Sequence, residues 1–257
     1  MKFLFEHLSQ CSSIVHSLDA RVKVAATLIF TVAVVSVPSH HVGHLFLFFA
    51  WPAGMIAASR LPLSPFVWRA LALSPFILLV VVFNPFFEQG RVVASILGLP
   101  VTLEGLLTSA GIMVKFFATM GVMLVLMATT PFPALIGGIR GLGVPAFLTH
   151  QIAFLYRYLF ILLSQVRTMK RARDTRSYGR LPARVAIRSA ASILGVLFVR
   201  TLETGERVEL AMALRGFDGT LRDLETRRAG PADGLFLLLA VAFCVFCWWM
   251  AHERLVI

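Results

Sequence analysis

Two short arginine motifs, Thr175-Arg176-Ser177 and Leu214-Arg215-Gly216, each close a long amphipathic stretch, and their arginines stand 39 positions apart (215 − 176). A guanidinium presents a planar fork of donors that can pair with a carboxylate through two bonds at once, which suits it to anchoring interfaces. One arginine near a helix end does no more than complement the macrodipole. Two, closing successive helices, would form a two-pronged docking device able to engage two copies of a partner or two partners. Both lie in a block from Arg157 to Arg228 that holds 15 of the 24 Lys+Arg. Arg173 is a less favoured anchor three residues before Arg176.

Other reactive side chains read more plainly. His40, His41 and His44 are of a type that suits transition-metal ions, but they fall at a joint without a nearby carboxylate or thiol, and read as interfacial residues. Lys115 sits in the middle of an apolar run, where an unpaired charge costs upward of ~2.5 kcal/mol. Pairing with Glu88 or Glu104, or snorkelling, would relieve that cost. Cys244 and Cys247 form a C-x-x-C inside an apolar run and read as packing residues. With Cys11 they make three cysteines and no disulfide framework. Asp19 and Arg21 are expected to anchor the N-terminal part at the membrane surface. No G-x-x-x-x-G-K-[ST] is present to bind ATP, nor any H-E-x-x-H or G-x-S-x-G. No cofactor is implied.

The elements that must position these groups are set by hydropathy. The chain has 257 residues, 58% hydrophobic and 14% charged, with mean hydropathy +0.82. A soluble domain carries about a quarter charged residues, so the bilayer is the expected solvent. Candidate spans are 24–40, 42–59, 70–87, 106–127 and 235–251, each near the ~20 residues a bilayer needs. No cleavable signal peptide is evident, because the first 20 residues lack an apolar core. The net charge is +11, and it lies beside spans, where positive residues mark the cytoplasmic side rather than nucleic acid. Lys2, Arg21, Lys23, Arg60, Arg69 and Arg140 then place the N-terminus inside, with 88–104 as an external loop. Residues 147–165 are apolar enough to cross, but crossing would export the basic block, so they read as a helix at the cytoplasmic face. Its expected inner stripe is Ile152, Leu155/Tyr156, Leu159, Leu162/Leu163, Val166 and Met169. A second helix is expected over 183–214, with a stripe of Ile187, Ala190/Ala191, Leu194, Leu197, Thr201, Val208 and Met212. Glu203 and Arg207 form a favourable i,i+4 pair on it. Gly179, Leu181 and Pro182 break the chain between the two, and Gly216 and Gly219 stop the second. The expectation is an all-α integral membrane protein with about five transmembrane helices plus a cytoplasmic-face module of one short and two long amphipathic coupling helices. It would be a single domain over 1–257, divided into a four-span part (1–130), the coupling helices (131–230) and a C-terminal span (231–257).

Several of these segments resemble the transmembrane T component of energy-coupling factor (ECF) transporters, most closely the cobalt/nickel CbiQ type. They are the opening from Ser13-Ile14-Val15-His16-Ser17-Leu18-Asp19 to Lys23, Ala128-Thr129-Thr130-Pro131 with Leu142-Gly143-Val144-Pro145, Tyr156-Arg157-Tyr158-Leu159-Phe160, and Glu206-Arg207-Val208 through Ala213-Leu214-Arg215-Gly216-Phe217. Thr175-Arg176-Ser177 keeps the arginine of the other family motif but neither neighbour. The resemblance implies a non-catalytic coupling subunit in the cell inner (plasma) membrane. It would transmit motion from two cytoplasmic ABC-type ATPases to a membrane substrate-binding component of the CbiM type, with a small CbiN-type accessory protein possible, in cobalt or nickel uptake. Metal would be held by the substrate-binding component, not by this chain. Arg176 would dock one ATPase and Arg215 the other, with Thr175, Ser177, Leu214 and Gly216 shaping the fit. The rival reading is a stand-alone membrane cation carrier or channel, with Lys115 and the histidines lining its path. A membrane-embedded enzyme would need convergent acids or metal ligands within the spans, and the sequence shows no such cluster.

Overall fold

A computed structural model describes residues 13, 15–39, 42–59, 64–88, 91–96, 99–177, 182–217 and 230–252. Lys2, Cys11, Ile14, His40, His41, Arg60, Gly179, Leu181, Gly219 and Arg228, which figure in the sequence reading, lie outside the described residues. The order is α1 (Ala20–Ser36), α2 (Val42–Leu45), a 3-10 turn (Phe46–Phe49), α3 (Ala50–Ser59), α4 (Ser64–Phe87), β1 (Val92–Ile96), β2 (Leu99–Thr102), α5 (Leu103–Thr129), α6 (Phe132–Gly141), α7 (Ala146–Arg176), α8 (Ala183–Leu214) and α9 (Pro231–His252). It is a helical membrane protein with one addition to the sequence reading: the expected external loop contains a short antiparallel hairpin, in which Ile96 pairs with Leu99.

Among the described residues, five helices are long and apolar enough to cross a bilayer: α4 from Trp68, α5, α7, α8 and α9. α7 and α8, expected at the cytoplasmic face, qualify by length and composition alone, and the first two expected spans form shorter helices. The first ends as the 17-residue α1. The second is interrupted, because Pro52 has no N–H to return to the Phe48 carbonyl, and the backbone tightens into 3-10 geometry with Ala50 N–H on the Leu47 carbonyl.

The chain divides into two compact units, 1–142 with 227–257, and 143–226. In the first, α1, α2, α5 and α9 enclose a core of Phe30, Val34, Leu45, Phe48, Val122 and Cys247. Phe30 meets Phe48 edge-on at 5.8 Å, and Trp51 stacks on Phe243 at 5.4 Å. Cys244 and Cys247 are buried and unbridged within that core, as packing residues. The hairpin of α4 and α5 closes at Gly105, where an added Cβ would lie 2.7 Å from Pro85 Cα. Thr102 caps α5 by accepting from Gly105 N–H at 3.3 Å.

Lys115 takes neither of the expected carboxylates. Its Nζ donates to the Val35 carbonyl at 3.1 Å, while Glu88 accepts from Asn84 and Thr108 and Glu104 from Arg91 N–H. Lys23, 3% exposed, makes the reciprocal bond to the Thr129 carbonyl at 3.2 Å. The antiparallel α1 and α5 therefore each lend a lysine to a carbonyl in the other's last turn, where no intrahelical donor remains.

Candidate functional site

The second unit carries both arginine motifs. Gly143, at φ +98°, turns the chain into Pro145, and Pro145 and Pro182 stand at the N-caps of α7 and α8. The helices are 31 and 32 residues long, or about 47 Å each at ~1.5 Å per residue. Arg176 is the last residue of α7 and Arg215 the C-cap of α8. Both are exposed, and among the described residues no carboxylate pairs with either.

The two tips end differently. After Arg215, Gly216 adopts φ +75°, Gly216 N–H donates to the Ala213 carbonyl at 3.0 Å, and Phe217 N–H to that of Met212 at 3.1 Å. That is a Schellman stop, for which glycine is preferred because a Cβ disfavours left-handed backbone. The Leu214-Arg215-Gly216 motif is thus a stop signal that leaves an arginine at the terminus. Thr175-Arg176-Ser177 has no glycine, and its helix ends with Ser177 extended at φ −97°, ψ 126°. Ser177 N–H donates to the Arg173 carbonyl at 3.0 Å, and its Oγ to that of Asp174 at 3.2 Å. Thr175 Oγ1 returns to the Ala172 carbonyl at 3.0 Å.

Arg173 is engaged by its neighbour: its Nε and Nη2 both reach Asp174 Oδ1, at 3.0 and 2.8 Å. It also lines an open cleft of about 460 Å³ between α7 and α8, together with Arg176, Ser177, Ser189, Ser192 and Arg200. The sequence reading singled out Arg173, Arg176 and Ser177 for docking and placed Arg200 on the polar flank of α8, and no motif marks Ser189 or Ser192. The less exposed positions of α8 are Ala186, Ser189, Ile193, Leu197, Thr201, Thr204, Val208 and Met212. The expected stripe holds from Leu197 onward and is rotated before it, with Ile187 70% and Leu194 62% exposed. On α7, Tyr156, Leu162, Val166 and Met169 are half-buried, while Leu155 is 69% exposed. The expected Glu203–Arg207 pair forms at 3.8 Å on an exposed face, worth about 0.3–0.5 kcal/mol.

In the first unit, Asp19 caps α1 by accepting from Arg21 N–H at 2.9 Å, and Asp19 N–H donates to Asp233 Oδ1 at 2.8 Å. Asp233 Oδ2 accepts from Gly230 N–H at 2.8 Å, a carboxylate at the third helical position reaching back to its N-cap. Gly230-Pro231-Ala232-Asp233 carried that signal, with proline at the first helical position. The Arg21 side chain lies over Gly141 of α6, and Gly138 sits against the Ala20 backbone. Asp19 and Arg21 therefore gather the starts of α1 and α9 and the face of α6. His44 lies in the last turn of the short α2, and no group of three metal-ligating side chains occurs among the described residues.

Comparison with known proteins converges on one family. The CbiQ family model, described as cobalt transport protein, matches residues 11–227. An uncharacterized protein of Methanocaldococcus jannaschii is 28% identical over 92% of this chain and 82% of its own length. Cobalt transport protein CbiQ of Rhodobacter capsulatus is 31% identical over 56% of this chain and 59% of its own. A protein of Methanocorpusculum labreanum, whose name describes a fused cobalt transport protein CbiMQ, is 26% identical over 57% of this chain and 25% of its own.

Proposed function

This chain belongs to the CbiQ cobalt transport protein family, and from that premise we propose that it is the non-catalytic coupling subunit of an ATP-driven ECF-type importer for cobalt or nickel. Two cytoplasmic ABC-type ATPases drive it, and a separate CbiM-type membrane component binds the ion; the fused CbiMQ relative supports that pairing. The observation that carries the reading is that α7 and α8 each terminate on an exposed arginine without a carboxylate partner among the described residues. Arg176 docks one ATPase and Arg215 the other, and each guanidinium fork waits for a carboxylate that another chain supplies.

The side of the membrane follows from charge. Length and composition alone would let α7 and α8 cross. As a crossing hairpin with the N-terminus inside, they would carry Arg167, Lys170, Arg171, Arg173, Arg176, Arg184 and Arg188 to the exterior. Positive residues near spans are retained on the cytoplasmic side, so both helices lie along the cytoplasmic face of the plasma membrane. The N-terminus is assigned to the same side by Lys2, Arg21, Lys23, Arg60 and Arg69. The apolar surface of α8, none of whose residues is fully buried, then serves contacts with the acyl boundary of the bilayer and with the membrane partner.

Arg176→Glu combined with Arg215→Glu tests the assignment by co-purification of the ATPases from membranes. The double variant is expected to insert at wild-type level and to recover little ATPase. Undiminished ATPase recovery would end the reading.

A further inference from the structure

In chain order the second unit is entered from α6 and left toward α9, and within the first unit both of these helices meet the start of α1. From α6, Gly138 lies where an added Cβ would be 3.0 Å from the Ala20 carbonyl carbon, and the Arg21 side chain covers Gly141. From α9, the Asp233 carboxylate accepts Asp19 N–H on Oδ1 and Gly230 N–H on Oδ2, both at 2.8 Å. Asp233 is 4% exposed and Asp19 7%. The starts of α1 and α9 carry partial positive charge and would repel each other, and a buried carboxylate between them turns that contact into attraction. Stability alone would be met by a separate cap on each helix. α1 already has its own, since Asp19 Oδ1 accepts from Arg21 N–H at 2.9 Å. The bond from Asp19 N–H to Asp233 therefore adds something else: it ties α9 to α1.

We propose that Asp233 is a positioning residue of the coupling mechanism. It holds the two helices to which the second unit is connected, α6 and α9, at a fixed separation across the start of α1. Movement of the second unit is then delivered to the membrane helices as one displacement, instead of being absorbed where α1 and α9 meet. The inference rests on the coupling role proposed above and adds to it a residue that touches neither an ATPase nor the ion. Asp233 lies 18 positions beyond Arg215 (233 − 215) and belongs to the first unit, so it acts on transmission and not on docking.

The test uses the whole transporter in liposomes, this chain with its ATPases and ion-binding partner, and reads uptake of radiolabelled cobalt(II), with nickel(II) in parallel, per ATP hydrolysed. Asp233→Ala is expected to lower that ratio about fivefold, within the range over which residues between two sites modulate their coupling. Asp233→Asn, which keeps an acceptor oxygen for Asp19 N–H, should restore part of the loss. Thr102→Val removes the cap of α5 at the other end of that helix from Thr129. It is expected to lower the thermal midpoint, as Asp233→Ala does, and to leave the ratio at its wild-type value. If Asp233→Ala does not accumulate, Asp233→Asn carries the test and must lower the ratio itself. An unchanged ratio in the Asp233 variants, or an equal fall in Thr102→Val, would overturn the proposal alone, with ATPase recovery unchanged throughout. Absence of ATP-driven uptake by wild type would overturn the coupling reading and this proposal with it.

Discussion

Gly216 adopts φ +75° at the end of α8, where a Cβ costs about 1–2 kcal/mol. Gly216→Ala is expected to lower the thermal midpoint modestly and to reduce ATPase recovery, because the Schellman stop positions Arg215. Gly205→Ala, mid-helix with nothing within 4 Å of its Cβ, should raise stability by roughly 0.5–1 kcal/mol through backbone entropy. Equal midpoints for the two variants would show that the turn is not under strain. The two lysines separate in the same way. Lys23 is buried on the Thr129 carbonyl, so Lys23→Met strands an acceptor at a cost of about 1–3 kcal/mol and should lower the midpoint. Lys115 makes an exposed bond inside an apolar helix, where its charge is itself costly. Lys115→Met is expected not to lower the midpoint in detergent unfolding.

At the scale of elements, close approach of backbones decides which glycines matter. A Cβ on Gly111 of α5 would fall on the Ser39 carbonyl, whereas one on Gly137 of α6 would meet nothing within 4 Å. Gly111→Ala therefore forces the segment after α1 away from α5, with an overpacking cost of about 1–3 kcal/mol, and should lower both midpoint and yield. Gly137→Ala should do neither. Gly138 is the intermediate case: its Cβ would lie 3.0 Å from the Ala20 carbonyl carbon, where backbone must give. Gly141 opposes only the Arg21 side chain, which can rotate aside. In the proposed coupling role, this short helix, pressed on the start of α1, which Asp19 joins to α9 through Asp233, would pass force into the membrane helices.

For the whole molecule, the placement of the basic block is the decisive quantity. Ser177→Cys and Phe217→Cys, each beside a tip arginine, are expected to react with a membrane-impermeant maleimide in inside-out vesicles and not in intact cells. Labelling from the exterior would place the tips on the wrong side for cytoplasmic ATPases and would remove the coupling mechanism with them.

Much of this was legible in the sequence because it is local. Helix periodicity, the arginine that precedes a terminal glycine, the break before Pro182 and the apolar lengths each depend on residues a few positions apart, and hydropathy reports them directly. The interruption before Pro52 was legible in principle, since a missing N–H is a property of the residue itself. Tertiary structure alone decided the rest. Lys115 finds Val35, 80 positions away, and Asp19 finds Asp233, 214 positions away; no local pattern encodes such a pairing. The face α8 turns inward before Leu197 was likewise undetermined, because a helix apolar around most of its circumference offers several stripes and only its neighbour selects one. The cleft of arginines and serines belongs to the same class, since it exists only where two long helices run side by side.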